Sequence, residues 1–266
     1  MKALHILLFL LISINCNSQN LELIKDSILN EGLRLYKLEK TAWISTDLIL
    51  AKPSNSYLFN DYSSYFDGDT VKVIYYSQIS DIAKIKFTAR YNIEHELKSE
   101  NVKIVREIRK PTEYESKLIK LKKEIRTLIE ESPNLSKNKY LHNFNITVLE
   151  KDSLLMFYLL PGTTKNDMFY LGGDYIIYYS NHKGFYKIKA QHKGLIEVKL
   201  PEEGLEVYYF MHSHIKGYSN FMTATDICQA KLYSKLTVGL SEYKVISQFY
   251  ESTYNIETDI LEIKKR

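Results

Sequence analysis

From Leu21 to Lys40 the chain sets Leu21, Ile24, Ile28, Leu35 and Leu38 at helical intervals with charged residues between them. That spacing predicts an amphipathic first helix, which runs on into TAWISTDLILAKP. The period then shortens. The stretch DYSSYFDGDTVKVIYYS holds two strand-like runs around Asp67-Gly68-Asp69, a hairpin signal. Ala83, Ile85, Phe87 and Ala89 alternate as a third strand with one buried face. Helical spacing returns after Pro111, where Leu118, Leu121, Ile125 and Leu128 form one side of a helix and the lysines and glutamates a solvated face. From Tyr140 the pattern breaks into short strands: 144–149, 154–160, 174–180, 185–190, 196–200 and 207–212. Turns at Pro161-Gly162, Gly172-Gly173 and His182-Lys183-Gly184 separate them. A helix from Ala224 to about Leu236 follows, and 243–247 and 254–256 return as strands.

Elements of this kind predict an α+β fold. The polar, Pro133-containing stretch 131–139 divides a helix/β-hairpin/helix region, 19–139, from a strand-rich region, 140–266. Residues 1–18 stand apart from both. One lysine, an apolar run from Ile6 to Ile14 and small polar residues read as a secretory signal peptide cleaved after Ser18. The run is far shorter than the ~20 residues of a membrane-spanning helix. Acylation of Cys16 is the weaker alternative, because Asn15 before it fits a lipobox poorly. Export predicts a periplasmic or secreted protein, either free or lipid-anchored.

Composition changes this picture little. Hydrophobic residues make up 45% of the chain, enough for a packed core, and the 22 tyrosines favour strands. Without Lys2 the balance is 35 basic against 32 acidic residues, a net of +3 with charges interleaved. No nucleic-acid motif accompanies it, so nucleic acid is not an expected partner. Trp43, the single tryptophan, reads as a core anchor, and Cys228 as a buried apolar side chain. Asp67 and Asp69 lack the spaced ligands of a calcium loop and read as a plain turn.

The chemistry concentrates in EVYYFMHSHIKGYSNFMTATDICQAKLY, residues 206–233. A period of two puts His212 and His214 on one face at the end of a strand, and Asp226 falls in the first turn of the next helix. Two imidazoles and a carboxylate make three protein ligands for tetrahedral Zn²⁺ with a fourth position for water. The bland reading stands beside this one: Thr223 and Asp226 also form a capping pattern, and His-x-His at a strand end can be two solvated side chains.

His-x-His, a loop and then Ser/Thr-x-x-Asp resembles the signature of JAMM (MPN+) metallopeptidase domains, and MHSH…TATDICQA is especially similar to bacterial and Rhs-associated members. The resemblance implies that His212, His214 and Asp226 bind zinc and that Thr223, in place of the family's serine, supports the tetrahedral intermediate. It implies a mixed β-sheet with flanking helices and a JAMM-like C-terminal domain that hydrolyses peptide or isopeptide bonds. Ile215 stands where a proline is frequent. The family's catalytic glutamate has no clear counterpart: Asp174, in GGDYIIYYSN, is the candidate base, and Glu150 and Glu197 are possible by chain distance alone. The missing glutamate supports a second expectation, a non-catalytic JAMM-like module binding a protein or cell-envelope partner. An amidohydrolase barrel is excluded because no histidine follows His214. His182 and His192 lie beside glycines in turns and read as exposed. The opening LYKLEKTAWISTDL with its Tyr-rich hairpin is similar to uncharacterised secreted bacterial proteins, a resemblance that carries no activity.

Overall fold

A computed structural model describes residues 2–79, 82–132, 144–163, 165, 167–202 and 205–266, with 2–19 by backbone alone. The polar stretch at 133–139 and His142 lie outside the described residues. The protein is α+β, with helices and antiparallel or mixed sheets. Its packing forms two compact units, Met1–Leu33 with Pro201–Arg266, and Arg34–Leu200. The first helix, α1 (Lys2–Leu50), contributes to both.

In the larger unit, β1 (Asp61–Asp67), β2 (Thr70–Ile79), β3 (Ile82–Asn92) and β4 (Val102–Arg109) form an antiparallel meander. The β1–β2 hairpin turns at Gly68-Asp69, with Gly68 at φ +57°, the glycine-first arrangement of a type II′ turn. Helix α2 (Glu113–Glu131) begins with a capping box between Thr112 and Glu115. A second antiparallel sheet has the order β5 (Phe144–Lys151), β6 (Leu154–Pro161), β8 (Tyr175–Ser180), β9 (Gly184–Ala190). Strands β7 (Met168–Gly172) and β10 (Leu195–Lys199) pair separately.

One core joins these parts: Leu118, Leu121 and Ile125 of α2 pack with Ile74 and Tyr76 of the first sheet and Ile146 and Phe157 of the second. Strand β2 loses its alternation because both of its faces are covered. Tyr76 points to the α2 side, while the Tyr75 hydroxyl meets Ser45 Oγ of α1 at 2.6 Å.

The predicted helical stripe on α1 is present, with Leu35 and Leu38 fully buried, but Trp43 is only half-buried, its ring under Lys40 Nζ. The polar face of α2 is also not all solvated. Lys122 and Glu115 are buried, because each reaches a carboxylate or guanidinium partner across the core. Lys122 Nζ donates to Asp61 Oδ1 (3.2 Å) and to the Tyr62 carbonyl, and Arg126 Nη2 reaches Asp61 Oδ2 at 3.2 Å. Glu115 is held bidentately by Arg109, at 2.6 and 2.8 Å. Burial would raise the Asp61 carboxyl, but Lys122 and Arg126 outweigh it and hold it below the ordinary range. Strands β4 and β7, and β14 (Ile260–Lys265), carry no pattern that the sequence reading picked out.

The smaller unit is built on a βαβ crossover. Strand β11 (Tyr209–Ser213) lies parallel to β12 (Glu242–Ile246), and between them in the chain runs α3 (Ala224–Tyr233). Strands β13 (Tyr250–Asn255) and β14 continue the sheet antiparallel. Tyr243, Val245, Tyr254 and Leu261 share the buried face, and Glu242, Lys244, Glu262 and Lys264 the opposite one. A Cβ on Gly32 would lie 2.6 Å from Ile227 Cβ and 2.9 Å from the Ala224 carbonyl. Glycine in mid-helix α1, usually unfavourable by about 0.5–1 kcal/mol, is what admits the first turn of α3. Among the described residues no helix is long and apolar enough to cross a membrane.

Asp61→Asn should lower stability at pH 7 by about 3 kcal/mol, because the buried Lys122 ammonium loses its carboxylate. A carboxyl held below its unfolded value contributes stability that is present above about pH 4 and is lost as pH falls through the lower folded value. Urea unfolding of the two proteins should therefore converge on acidification, and a gap unchanged at pH 2 would refute the assignment.

Candidate metal centre

Strand β11 delivers the two histidines. Phe210 and His212 lie on the face that α3 covers, and His214 continues the alternation one step past the strand, its N–H donating to the Ile246 carbonyl at 2.8 Å. The loop then turns back. Gly217 adopts φ +96°, Phe221 N–H bonds Ser219 Oγ, and Met222 N–H bonds Ser252 Oγ of β13. These bonds place Thr223 as the N-cap of α3.

Asp226 occupies the third helical position and does two things at once. Its Oδ2 accepts from the Thr223 N–H (2.8 Å) and from the Thr223 hydroxyl (2.7 Å), while its own N–H donates to Thr223 Oγ1 at 3.2 Å. That is a closed capping box with aspartate in place of glutamate. Its carboxylate also faces both imidazoles: His212 Nε2 is 3.5 Å from Oδ1 and His214 Nε2 is 3.6 Å from Oδ2. The three side chains are 7%, 1% and 0% exposed for His212, His214 and Asp226, so this is an interior cluster and not a solvated strand end.

The outer nitrogens are held as well. His214 Nδ1 lies 3.1 Å from the Ser219 carbonyl, and His212 Nδ1 lies 3.2 Å from the Tyr243 hydroxyl. A carbonyl can only accept, so a neutral His214 carries its hydrogen on Nδ1 and turns its Nε2 lone pair inward. This is how metal-binding histidines are oriented. A tetrahedral ion with ligands at about 2.0–2.1 Å sets its ligand atoms about 3.4 Å apart. The observed 3.5 and 3.6 Å are close to that edge and longer than a usual N–H···O bond. His212, His214 and Asp226 could hold a metal ion. A cation beside a helix N-terminus meets the positive end of the dipole, and the Asp226 carboxylate in that first turn offsets it.

Sequence reasoning placed these three residues and both halves of the box. What it could not anticipate is that one carboxylate serves both readings, with Oδ2 accepting from Thr223 while Oδ1 faces His212 and Oδ2 also lies 3.6 Å from His214 Nε2. It also missed Tyr243, which reads only as one of many strand tyrosines. Cys228 is fully buried on α3, as its apolar spacing predicts.

Asp174 belongs to the larger unit, at the end of the Gly172-Gly173 turn. Both glycines are left-handed, at φ +68°, and a Cβ on Gly172 would lie 2.7 Å from the Gly194 carbonyl. That close approach brings His192 over Asp174, and Nδ1 bonds Oδ1. His192 is therefore buried, against the expectation from its glycine-flanked turn, whereas His182 is exposed as expected. Asp174 is itself fully buried, and its Oδ2 has no hydrogen-bond partner among the described residues. Glu150 accepts from the Tyr114 hydroxyl at 3.3 Å, and Glu197 sits on β10.

No family model, curated protein or solved structure matches this chain.

Asp226→Asn should separate the two duties of the carboxylate. An amide oxygen can still accept from the Thr223 N–H, so the thermal midpoint should move by a few degrees at most. The anionic ligand is gone, so metal uptake should fall at least 100-fold; undiminished uptake would show that Asp226 is a cap and nothing more.

Proposed function

We propose that the chain is an exported zinc-dependent hydrolase of peptide or isopeptide bonds, with the metal held by His212, His214 and Asp226. The observation that carries the reading is the pair of imidazole–carboxylate separations, 3.5 and 3.6 Å, in a buried cluster whose His214 tautomer is fixed by a backbone carbonyl. Three N and O ligands with a fourth position left for water are the donor set of a catalytic zinc site. Zinc bound there would supply Lewis acidity toward a water molecule and a carbonyl group, the chemistry of amide hydrolysis. The likeness of MHSH…TATD to JAMM domains supports the same class, and the apolar run 6–14 supports export.

The chain's own residues have separable tasks in this reading. His212 and His214 supply neutral lone pairs from the carboxyl end of β11, the usual side for a site in a parallel βαβ unit. Asp226 supplies the negative charge. Thr223 orients Asp226 by giving its hydroxyl hydrogen to Oδ2, a positioning role in place of direct oxyanion support. The buried face of the sheet beneath them, with Tyr243 and Val245, keeps water from the outer sides of the imidazoles.

Elemental mass spectrometry of the purified protein should find about one zinc per chain, and none in the His212→Ala/His214→Ala double variant. Peptide and isopeptide substrates should be cleaved by the zinc-loaded protein and not by the double variant. Zinc without cleavage would leave a metal-stabilised binding module of the cell envelope; no zinc would remove the reading.

A further inference from the structure

The larger unit holds a cleft of about 710 Å³. Its floor is the α2-facing side of the first sheet, with Tyr65, Lys72 and Arg90, and its wall is the start of α2, with Tyr114 and Glu115. On that floor the strand register sets cations side by side. Lys72 of β2 is the direct partner of Arg90 of β3, and Arg90 of Lys103 of β4, so three positive side chains cross three strands on one face. Like charges directly opposite one another on a sheet are destabilising. Asp67 forms an ion pair with Lys72, and Glu107 and Glu115 take Arg109, while Arg90 is exposed with a cation on either side. A row that is unfavourable by itself is accounted for if an anion binds over it.

The lining limits what that anion can be. Four cations, Lys72, Arg90, Arg109 and Lys110, stand against three carboxylates, Asp67, Glu115 and Glu150, a balance of +1. One carboxylate neutralises it, whereas a phosphate monoester carries about −1.5 to −2 near pH 7. Glu150 accepts from the Tyr114 hydroxyl at 3.3 Å, and a carboxylate only accepts, so the rest of the ligand must bring hydroxyl donors to that side. The aromatic part is rigid. Tyr65 and Tyr114 pack edge-to-face with ring centres 5.3 Å apart, and the Tyr65 hydroxyl is held by Glu115 at 3.0 Å. Such rings suit the apolar face of a sugar. The capping box turns Glu115 onto the first turn of α2, so side chains and not helix N–H groups meet the ligand. We propose that this cleft binds a sugar acid, a pyranose bearing one carboxylate, with Arg90 as the partner of the carboxylate and the Tyr114–Glu150 pair on the hydroxyls. The volume is that of a small-molecule site, about 300–1,000 Å³. The proposal does not depend on the metal reading.

Calorimetric titration of the full chain with D-glucuronate and with D-galacturonate tests it. At least one of the two should bind saturably, with Kd about 1 mM or tighter. D-Glucose lacks the carboxylate and glucose 6-phosphate carries excess charge, so each should bind about 10-fold more weakly or not at all. Arg90→Ala should weaken the sugar acid about 10- to 100-fold, the effect of losing a hydrogen bond between charged groups. It also removes the middle of the cation row, so its urea midpoint should stay the same or rise, which separates lost binding from lost folding. Lys103→Ala is the control, on the same row but outside the cleft lining, and should bind within about 2-fold of the unaltered protein. No binding of either acid, equal binding of D-glucose, or tighter binding of glucose 6-phosphate would overturn the proposal. So would unaltered affinity in Arg90→Ala, or an equal loss in Lys103→Ala. The titrations with the unaltered protein decide the matter even if a variant folds poorly.

Discussion

The carboxylate of Asp226 is the constraint on which the smaller unit turns. It closes the capping box that starts α3, and that helix is the crossover joining two parallel strands. The same group sits opposite two buried imidazoles. A buried carboxylate requires compensation, and here the compensation is divided: Oδ2 takes two donors from Thr223, and Oδ1 faces His212. Close packing keeps this arrangement in register, since Gly32 of α1 leaves no space beside Ala224 and Ile227 for even a methyl group. The helix start, the sheet crossover and the candidate site are therefore one structural feature.

The larger unit follows the same rule with different chemistry. Its polar groups are buried where partners converge: Lys122 on Asp61 and the Tyr62 carbonyl, Glu115 in the fork of Arg109, and Glu39 between Thr147 and Asn145. Burial raises the Glu39 carboxyl, although both hydrogen bonds and Lys122 oppose the shift. Asp61 moves the other way because two cations face it. These bonds link α1, α2, β1 and β5, elements distant in sequence, so they fix how the helices lie on the sheets at places where apolar contacts alone would permit sliding.

Much of this was legible in the chain. Helical stripes located α1 and α2, the Asp67-Gly68-Asp69 turn located the β1–β2 hairpin, alternation located β3, and the spacing of His212, His214 and Asp226 located the cluster. The failures share one cause. Trp43, His192, Lys122 and Glu115 were judged by residue type and neighbours, but their burial is set by partners 18 or more residues away or by how a helix face meets a sheet. Strand β4, VKIVREIR, alternates weakly and carries charge because it lies at the end of its sheet, so its pattern does not stand out from a loop.

What the sequence determined by itself is whatever depends on short range: the periods of the elements, the Gly68 turn, the Thr223–Asp226 box, and the presence of three residues able to ligate a metal ion. Local geometry suffices for these, because a helical turn or a strand repeat fixes neighbours within a few residues. Only the tertiary structure decided that the imidazoles and the carboxylate face one another at 3.5 and 3.6 Å, that Tyr243 stands behind His212, and that Asp174 is joined to His192. Each of those facts depends on how strands pair and how a helix crosses them. Such pairings are chosen by the burial of whole faces, and no single residue or spacing records that choice.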